Sequence, residues 1–446
     1  MGCNGVIEKH QDAERIVSLH REKPDPMETK PTTLVHITTV PQSLMFVTGQ
    51  VGYMKARGFE IVGLSSPGEM LTRFAEREGV PVHAVEMPRR VTPWRDVFAL
   101  LKLVRLLRRI RPQIVHGHTP KGGLLGMLSA WIARTPVRIY HMHGLPFVTA
   151  TGWTRRLLMW SERISCGLAD QVLCVSSSAR ALAVEAGLCR ADKVKVLLQG
   201  SINGVDALNR FNPANVPPSA RNETRLKYGI PVDATVVGFI GRIVRSKGIV
   251  DLAKAWDQLR ADFPALHLLL VGPLEPQDPI PGDVEASLRK DSRVHLIGEE
   301  WDTPALYAAM EVLVLPTYRE GLPGVLLEAA AMQVPVVATS VTGCVDVVQD
   351  GITGLLVPPH DPESLARAIR TYLEDPDLRL NHGLAARAWA MREFRQERIW
   401  QAIYEEYLNL LEKKRIPAPD AGIAATQGES SKKVGRAGQR LVNTSG

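Results

Sequence analysis

Short apolar runs alternate with longer stretches of helical pattern over most of the chain. The runs are rich in β-branched residues and end at glycine, proline or polar residues, as expected of strands buried on both faces of a parallel sheet. Each run is followed by apolar residues at helical spacing, which is the order of βαβ units. We therefore predict an α/β protein with doubly wound parallel sheets. The predicted strands are residues 34–39, 60–64, 80–85, 114–116, 137–140, 172–175, 195–198, 235–240, 267–271, 294–297, 312–315, 334–338 and 354–357.

The alternation pauses once, in a polar segment that covers residues 203–222. A chain of 446 residues is also longer than one hydrophobic core usually organises. We therefore predict two Rossmann-like domains, residues 32–209 and residues 210–394. In doubly wound sheets ligands bind beyond the carboxyl ends of the strands, so we expect the functional site there.

Composition and charge narrow the class of protein. Apolar residues make up 45% of the chain, which indicates a packed globular protein. The formal net charge is +7, which favours an anionic partner: nucleic acid, acidic lipid or a nucleotide diphosphate. Residues 1–31 and 415–446 are polar and carry no periodic apolar face, so we predict flexible ends.

Cysteine usage and the chain's start favour a cytoplasmic protein. The five cysteines are scattered and form no Cys-x-x-Cys pair, so we expect reduced thiols. Residues 1–27 are charged where a signal peptide would be apolar. No uninterrupted apolar run approaches the roughly 18 residues of a transmembrane helix. The cysteines are Cys3, Cys166, Cys174, Cys189 and Cys344.

The stretch from residue 312 to residue 339 carries the most specific chemistry. It predicts strand, loop, helix and strand, with Pro323 in the first helical turn, where a missing N–H is no loss. The exposed N–H groups of residues 322–325 form an anion site. Glu320 precedes them and Glu328 follows about one turn into the helix. Two carboxylates around a phosphate-sized site suit a nucleotide-sugar.

The frame Glu-Gly-Leu-Pro-Gly-Val-Leu-Leu-Glu-Ala resembles the E-x7-E signature of the retaining GT-B glycosyltransferases of family four. The resemblance implies the GT-B fold, in which two Rossmann-like domains face a central cleft. It also implies that Glu320 orients the donor sugar hydroxyls and that Glu328 binds the ribose. A purely structural glutamate pair on a helix is the alternative. The implied donor-binding residues are Gly241, Gly321, Leu322, Pro323, Gly324, Val325 and Glu328.

A second motif opens the second domain, where an apolar strand runs into Gly241 and is followed by Arg242 and Lys247. Glycine at a strand end allows a ligand to approach the backbone, and two cations at this distance can bind a diphosphate. In the family these two cations match the pair that holds the leaving nucleotide. The dinucleotide and Walker patterns are absent, which argues against a dehydrogenase or an ATPase.

Paired histidines end two predicted strands of the first domain. Period two places His116 with His118 and His141 with His143 on common faces. A metal site is one interpretation, but no carboxylate lies nearby in the sequence, and we predict no metal. On the family resemblance His143 faces the donor sugar, although a histidine of the core is the alternative. His118 and Lys121 are candidates for the acceptor side.

The segments that begin at His118 and His143 resemble those of bacterial transferases that build oligosaccharides on a polyprenyl-diphosphate lipid for capsule or exopolysaccharide. The run 89–111 is strongly basic and helical in its later part, and residues 153–160 add tryptophans. We expect these residues to dock peripherally on the inner face of the cell membrane, since each basic residue attracts acidic headgroups by about 1 kcal/mol. An ordinary helix with a solvated basic face is the alternative.

The sequence therefore predicts a retaining glycosyltransferase. It would move a hexose or N-acetylhexosamine from a UDP-sugar to a lipid-linked or polysaccharide acceptor, without a metal cofactor and without nucleic acid as a partner. The catalytic candidates are Glu320, Arg242, Lys247 and His143. By the same resemblance the closing helix, residues 395–414, returns to the first domain, although it could instead complete the second. A GT-B sugar-nucleotide epimerase is the alternative function.

Overall fold

The computed structural model describes residues 31–419, and within this range the chain forms two lobes, each with one parallel sheet. The first sheet has seven strands in the order β3-β2-β1-β4-β5-β6-β7. Its strands are β1 (Thr32–Ile37), β2 (Phe59–Ser65), β3 (Val82–Ala84), β4 (Ile114–His118), β5 (Val137–Met142), β6 (Gln171–Cys174) and β7 (Val194–Lys195). Its helices are α1 (Gln50–Lys55), α2 (Glu69–Glu78), α3 (Pro93–Ile110), α4 (Pro120–Ile132), α5 (Gly152–Leu168) and α6 (Ser177–Glu185).

The second sheet has six strands in the order β10-β9-β8-β11-β12-β13. Its strands are β8 (Thr235–Ile240), β9 (Leu266–Val271), β10 (Val294–Gly298), β11 (Val312–Leu315), β12 (Val336–Thr339) and β13 (Gly354–Val357). Its helices are α7 (Ala220–Lys227), α8 (Ile249–Asp262), α9 (Gly282–Lys290), α10 (Pro304–Ala309), α11 (Gly324–Ala331), α12 (Cys344–Val347), α13 (Pro362–Glu374) and α14 (Pro376–Glu393). The last helix is α15 (Gln396–Lys413).

The doubly wound α/β fold class is confirmed, and every predicted strand has a counterpart. The largest difference is β7, which covers only Val194–Lys195 instead of residues 195–198. The chain turns away soon afterwards, because Leu198 has a φ of 52° and Gly200 a φ of 100°. An extended strand cannot continue through such residues.

Both faces of the first sheet are covered. One face packs against α3, α4 and α5, and the other receives α15 together with α1 and α2. Ile403 and Tyr407 of α15 are buried beside Leu34 and Leu173. Lys195 Nζ lies 3.0 Å from Glu406 Oε1, which ties the edge strand β7 to the same helix. The closing helix therefore packs on the first lobe and leaves the second lobe at residue 395.

Four of the five cysteines lie in the described part of the chain. Cys166, Cys174, Cys189 and Cys344 are buried free thiols. Cys3 lies outside the described residues, as do the segments predicted to be flexible, apart from Pro31 and residues 415–419.

The two crossings between the lobes run side by side. The Val205 N–H donates to the Phe394 carbonyl oxygen at 2.8 Å, and Val205 pairs with Arg395 as an isolated parallel bridge. Gly204 makes this contact possible: its φ is 64°, and a Cβ atom there would lie 2.3 Å from the Phe394 oxygen. Trp400 Nε1 donates to Asn203 Oδ1 at 2.6 Å and holds the same segment on α15.

We predict that Gly204→Ala lowers the thermal midpoint by several degrees more than Gly229→Ala does. Both glycines have a positive φ, which costs an L-residue about 1 kcal/mol, but a Cβ at Gly229 meets nothing within 4 Å. Differential scanning calorimetry of both variants isolates the clash with Phe394. Equal midpoints for the two variants would show that the crossing tolerates a Cβ atom.

Candidate active site

The loops after β8 and β11 touch at the point where the second sheet reverses its winding. β8 and β11 are neighbours, and the chain proceeds from them toward opposite edges, so their carboxyl ends flank a crevice. Gly248 has a φ of 72°, and a Cβ atom there would lie 1.8 Å from the Pro316 carbonyl oxygen. Glycine permits this approach, which brings Lys247 beside the loop that carries Glu320.

Three ion pairs lie at this crevice. Lys247 Nζ contacts Glu320 Oε1, and both side chains are largely buried. Arg242 Nη1 donates instead to Glu275 Oε2 at 2.7 Å. Arg89 Nη1, from the first lobe, lies 3.6 Å from the other oxygen of Glu275. Of the two predicted cations, Lys247 thus meets Glu320 directly, whereas Arg242 takes part in an ion-pair network that crosses the cleft.

Arg319 is a third cation at this site, and sequence reasoning missed it. Burial lowers the pKa of the Arg319 guanidinium, and the charges of Glu320 and Arg242 lie close enough to act on it. An arginine keeps its charge even so, because its ordinary pKa exceeds 12. Its place immediately before Glu320 is the signal that could have identified it.

The α11 helix begins at Gly324, whereas the sequence predicted that Pro323 would already lie in the first helical turn. Pro323 is the N-cap residue, with a φ of −75° and a ψ of 111°. This ψ is extended, so the proline ends the loop and does not start the helix. No side chain within residues 31–419 caps this end of α11. The first N–H groups of the helix, at Gly324 and Val325, are therefore available to an anion.

Glu328 faces a tyrosine. The Tyr307 hydroxyl donates to Glu328 Oε2 at 2.8 Å. Burial raises the pKa of Glu328 to about 7, against the opposing effect of this hydrogen bond. A similar pair occurs in the first lobe, where the Tyr140 hydroxyl donates to Glu162 Oε2 at 2.7 Å. Burial raises the pKa of Glu162 to about 7 as well.

The two lobes meet through backbone atoms at Gly321. A Cβ atom on Gly321 would lie 1.6 Å from the His143 carbonyl oxygen and 3.1 Å from the Gly144 nitrogen. The Ser176 hydroxyl, at the end of β6, donates to the Gly321 carbonyl oxygen at 2.7 Å. The structure therefore places His143 opposite the loop that carries Glu320. Ser176 was not predicted from the sequence.

Five histidines meet at the carboxyl edge of the first sheet: His36, His116, His118, His141 and His143. His118 Nε2 lies 2.9 Å from His36 Nδ1, and His118 Nδ1 lies 3.0 Å from His143 Nε2. Burial lowers the pKa of His36 and His143 to about 4 and holds that of the other three well below the ordinary value. The rings are thus neutral near neutral pH and able to bind either a hydrogen-bond partner or a metal ion.

Lys121 lies apart from these groups. Its Nζ lies 2.6 Å from Asp96 Oδ1 and donates to the carbonyl oxygens of Pro88 and Arg90 at 2.6 and 2.7 Å. The lysine thus fastens the loop before α3 to the start of α4. Its role on the acceptor side stays a prediction, as does that of His118.

Comparison with known proteins places the chain in a family. A model described as "Glycosyl transferase 4-like domain" matches residues 45–200, and one described as "Glycosyl transferases group 1" matches residues 234–375. Together the two matches cover more than half of the chain. The protein therefore belongs to the group 1 glycosyl transferases, and the predicted enzyme class is confirmed.

Two relatives show how far the similarity extends. The capsular polysaccharide biosynthesis glycosyltransferase CapM of Staphylococcus aureus is 31% identical over 379 residues, which are 85% of this chain and 97% of CapM. The UDP-Gal:alpha-D-GlcNAc-diphosphoundecaprenol alpha-1,3-galactosyltransferase of Escherichia coli is 24% identical over 295 residues, 66% of this chain and 74% of that enzyme.

Solved structures confirm the GT-B fold. Anabaena Alr3699/HepE in complex with UDP-glucose superposes with a TM-score of 0.69 at 22% identity, over 84% of this chain and 99% of HepE. Sucrose-phosphate synthase from Thermosynechococcus elongatus superposes with a TM-score of 0.70 at 21% identity, over 86% of this chain and all of that structure.

We predict that Glu328→Gln stabilises the protein at pH 8.5 but not at pH 4.5. The folded pKa of about 7 lies above the ordinary value of 4.5. Between pH 4.5 and pH 7, Glu328 ionises in the unfolded chain but stays protonated in the folded protein. The free energy of unfolding therefore falls as pH rises through this range, and it stays lowered above pH 7. Glutamine removes a cost on the order of 3 kcal/mol. Calorimetric midpoints of the wild type and Glu328→Gln at both pH values measure this difference in stability. A shift of the midpoint that is the same at both pH values would contradict the prediction.

Proposed function

We propose that this glycosyltransferase uses a nucleotide-diphosphate sugar and transfers its hexose or N-acetylhexosamine with retention of the anomeric configuration. The supporting observation is the ion pair of Lys247 with Glu320 in the loop that leads directly into the uncapped start of α11. A diphosphate needs cations and N–H donors, and a sugar needs a hydroxyl acceptor. These groups come from two neighbouring loops and are positioned before any ligand arrives.

The donor lies with its diphosphate at the start of α11. Lys247 and Arg242 bind the phosphate oxygens, with the N–H groups of Gly324 and Val325. Glu328 accepts from the ribose hydroxyls, and Glu320 accepts from the sugar hydroxyls. The ion pair of Lys247 with Glu320 keeps both groups in place before binding, and the diphosphate then shares the lysine.

Gly241, Gly321, Leu322 and Pro323 shape the donor site. Gly241 has a φ of 153°, and Gly272 approaches so closely that a Cβ atom on it would lie 1.9 Å from the Gly241 oxygen. Gly321 lies against the His143 backbone. From the opposite side of the cleft, His143 faces the donor sugar as a neutral imidazole.

In the transfer step the bond between the anomeric carbon and the diphosphate oxygen breaks, and the electron pair leaves with the nucleotide diphosphate. An acceptor hydroxyl oxygen bonds to the same face of the anomeric carbon. Its proton passes to the departing phosphate, so no separate base is assigned. Lys247, Arg242 and the helix N–H groups stabilise the charge that develops on the leaving group. Because these fixed cations already neutralise the leaving group, we propose that the step needs no divalent metal.

UDP is the proposed nucleotide, and a capsule or exopolysaccharide intermediate is the proposed acceptor. HepE binds UDP-glucose, the name of the E. coli relative specifies UDP-Gal and a diphosphoundecaprenol acceptor, and CapM is named for capsular polysaccharide biosynthesis. We favour a transferase over a sugar-nucleotide epimerase because both matching family models describe glycosyl transferases.

The proposed acceptor lipid requires a membrane contact, and the first lobe offers one. On α3, Trp94 is 81% and Phe98 71% exposed; on α5, Trp153 is 75% and Trp160 65% exposed. Both helices follow strands of a parallel sheet, so their N-terminal ends lie at the edge that faces the cleft. Around these side chains lie exposed arginines, among them Arg95, Arg105, Arg108, Arg155 and Arg156.

Aromatic side chains flanked by arginines suit an anionic bilayer surface. We therefore propose peripheral docking on the cytoplasmic face of the cell membrane. Among the helices of residues 31–419, none combines the length and the apolar content that a bilayer crossing requires.

The donor site is tested by UDP titration calorimetry. We expect Glu328→Gln to weaken UDP binding by about 10- to 100-fold, because a charged hydrogen bond contributes roughly 1.5–3 kcal/mol. Glu162→Gln is the matched control, since it alters an equivalent buried glutamate–tyrosine pair in the other lobe. Equal affinities in the two variants would place the ribose elsewhere.

Turnover of a UDP-sugar is tested with Lys247→Met, which should lower kcat by about 100-fold or more. Lys254→Met, an exposed lysine on α8, is the control and should leave turnover unchanged. Proton NMR of the product should show the donor's anomeric configuration. An inverted product, or full activity in Lys247→Met, would overturn the proposal.

Vesicle sedimentation tests the membrane contact. We expect the double variant Trp94→Ser/Phe98→Ser to bind anionic vesicles at least about tenfold more weakly than the wild type, since it removes two large apolar contacts. Trp301→Ser is the control, because Trp301 is a half-exposed tryptophan on the second lobe. Binding that is equal for both variants, or equal on neutral and anionic vesicles, would contradict the proposed docking.

A further inference from the structure

The histidines at the edge of the first sheet form two overlapping groups of three. In each group, one ring nitrogen per residue lies within 4.8 Å of the others: His36, His116 and His118 in one, His118, His141 and His143 in the other. His118 belongs to both groups. A neutral imidazole has only one nitrogen lone pair to offer a metal ion, so His118 can be a ligand in only one group at a time. The two groups are distinguished by the orientation of their rings.

Ring orientation excludes the inner group as a metal site. An imidazole binds a metal through a lone pair in the plane of its ring, so three ligands of one ion cannot be parallel and stacked. The rings of His36, His116 and His118 lie within 28–33° of parallel. Their lone pairs therefore lie in nearly parallel layers and do not converge.

The outer group differs from the inner group in one ring. The His143 ring is inclined by 78° to His118 and by 57° to His141, whereas His118 and His141 are stacked at 26°. The three ring centroids lie 5.1 to 5.8 Å apart. Three imidazoles on one tetrahedral ion, with metal–nitrogen distances of roughly 2.0–2.1 Å, have centroids roughly 5 Å apart. The spacing therefore fits a shared ion once one ring of the stacked pair turns toward His143.

The hydrogen bonding of the outer group is incomplete. His141 Nδ1 is buried and has no hydrogen-bond partner within residues 31–419. His118 Nδ1 and His143 Nε2 face each other at 3.0 Å. If His118 donates its proton from Nε2 to His36 Nδ1, its Nδ1 lone pair faces His143, where it can accept a hydrogen bond from His143 Nε2 or bind a cation. A buried, unpartnered polar atom is costly, and an ion would satisfy it.

We propose that His118, His141 and His143 form a binding site for one borderline transition-metal ion such as Zn²⁺, with His36 fixing the tautomer of His118. Neutral imidazoles without a carboxylate suit Zn²⁺, Co²⁺ and Ni²⁺ rather than Mg²⁺ or Ca²⁺. His143 is partly exposed and gives the ion access from the cleft. A bound ion occupies a lone pair of His143, the ring that the proposed function places opposite the donor sugar. Metal binding and donor binding therefore compete for this ring, and no step of the transfer is assigned to the ion.

Co²⁺ titration of the full chain, prepared without a histidine tag, tests the site. We expect one equivalent to bind, with the intense visible absorption of tetrahedral Co²⁺, and Zn²⁺ to displace it. His141→Gln and His143→Gln should each weaken binding by about 100-fold or more, since loss of a ligand costs at least as much as loss of its supporting partner. Thermal midpoints measured with and without Zn²⁺ give a second readout, because Zn²⁺ raises the midpoint only of a protein that binds it in the folded state.

Two control variants make the assignment specific. His267→Gln alters another hydrogen-bonded histidine pair, whose nitrogens lie 2.9 Å apart, but which has only two rings. His36→Gln alters the inner group while leaving the outer ligands intact. His267→Gln should bind Co²⁺ as the wild type does, whereas His36→Gln should weaken binding by about 10- to 100-fold, because it removes a supporting partner and not a ligand. The proposal is overturned if the wild type binds no Co²⁺, if His267→Gln loses binding, or if His36→Gln loses it while His141→Gln retains it.

Discussion

A backbone contact between two loops of the second lobe underlies the candidate site. Gly248 packs on the Pro316 carbonyl oxygen, where a Cβ atom would lie 1.8 Å away. This approach places the short turn after β8 against the loop after β11, and Lys247 meets Glu320 as a result. The ion pair is largely buried, so its geometry is better defined than that of an exposed pair, which contributes roughly 1 kcal/mol or less. The position of the proposed diphosphate site follows from this one contact.

The cleft depends on similar contacts between backbones. Gly321 meets the His143 carbonyl oxygen across the lobes, and Gly204 meets the Phe394 carbonyl oxygen at the crossing. Such contacts leave no flexible side chain to adapt, so they define the distance between the lobes closely. The pair of Arg89 and Glu275 also crosses the cleft, but at 3.6 Å and with a half-exposed arginine it adds little stability.

Most strands could be predicted because they are continuous apolar runs that are buried along their length. The edge strands β3, β7 and β10 are less buried, and positive φ angles soon end β7. The loops of the candidate site could be singled out because their glycines and charged residues lie within short segments. Arg319 was missed although it directly precedes Glu320, and Ser176 was missed because nothing in its local sequence marks it. Ser176 reaches Gly321 from 145 residues away.

The amino-acid sequence by itself determined the two-lobed α/β architecture and which residues lie on the loops of the candidate site, since both depend on local patterns of burial, glycine and charge. Tertiary structure alone decided which of these residues meet. It paired Lys247 with Glu320 and Arg242 with Glu275, fastened Lys121 to Asp96, and assembled five histidines from three strands. These outcomes depend on the order of strands in a sheet and on close backbone approach, and neither is encoded in the spacing of residues along the chain.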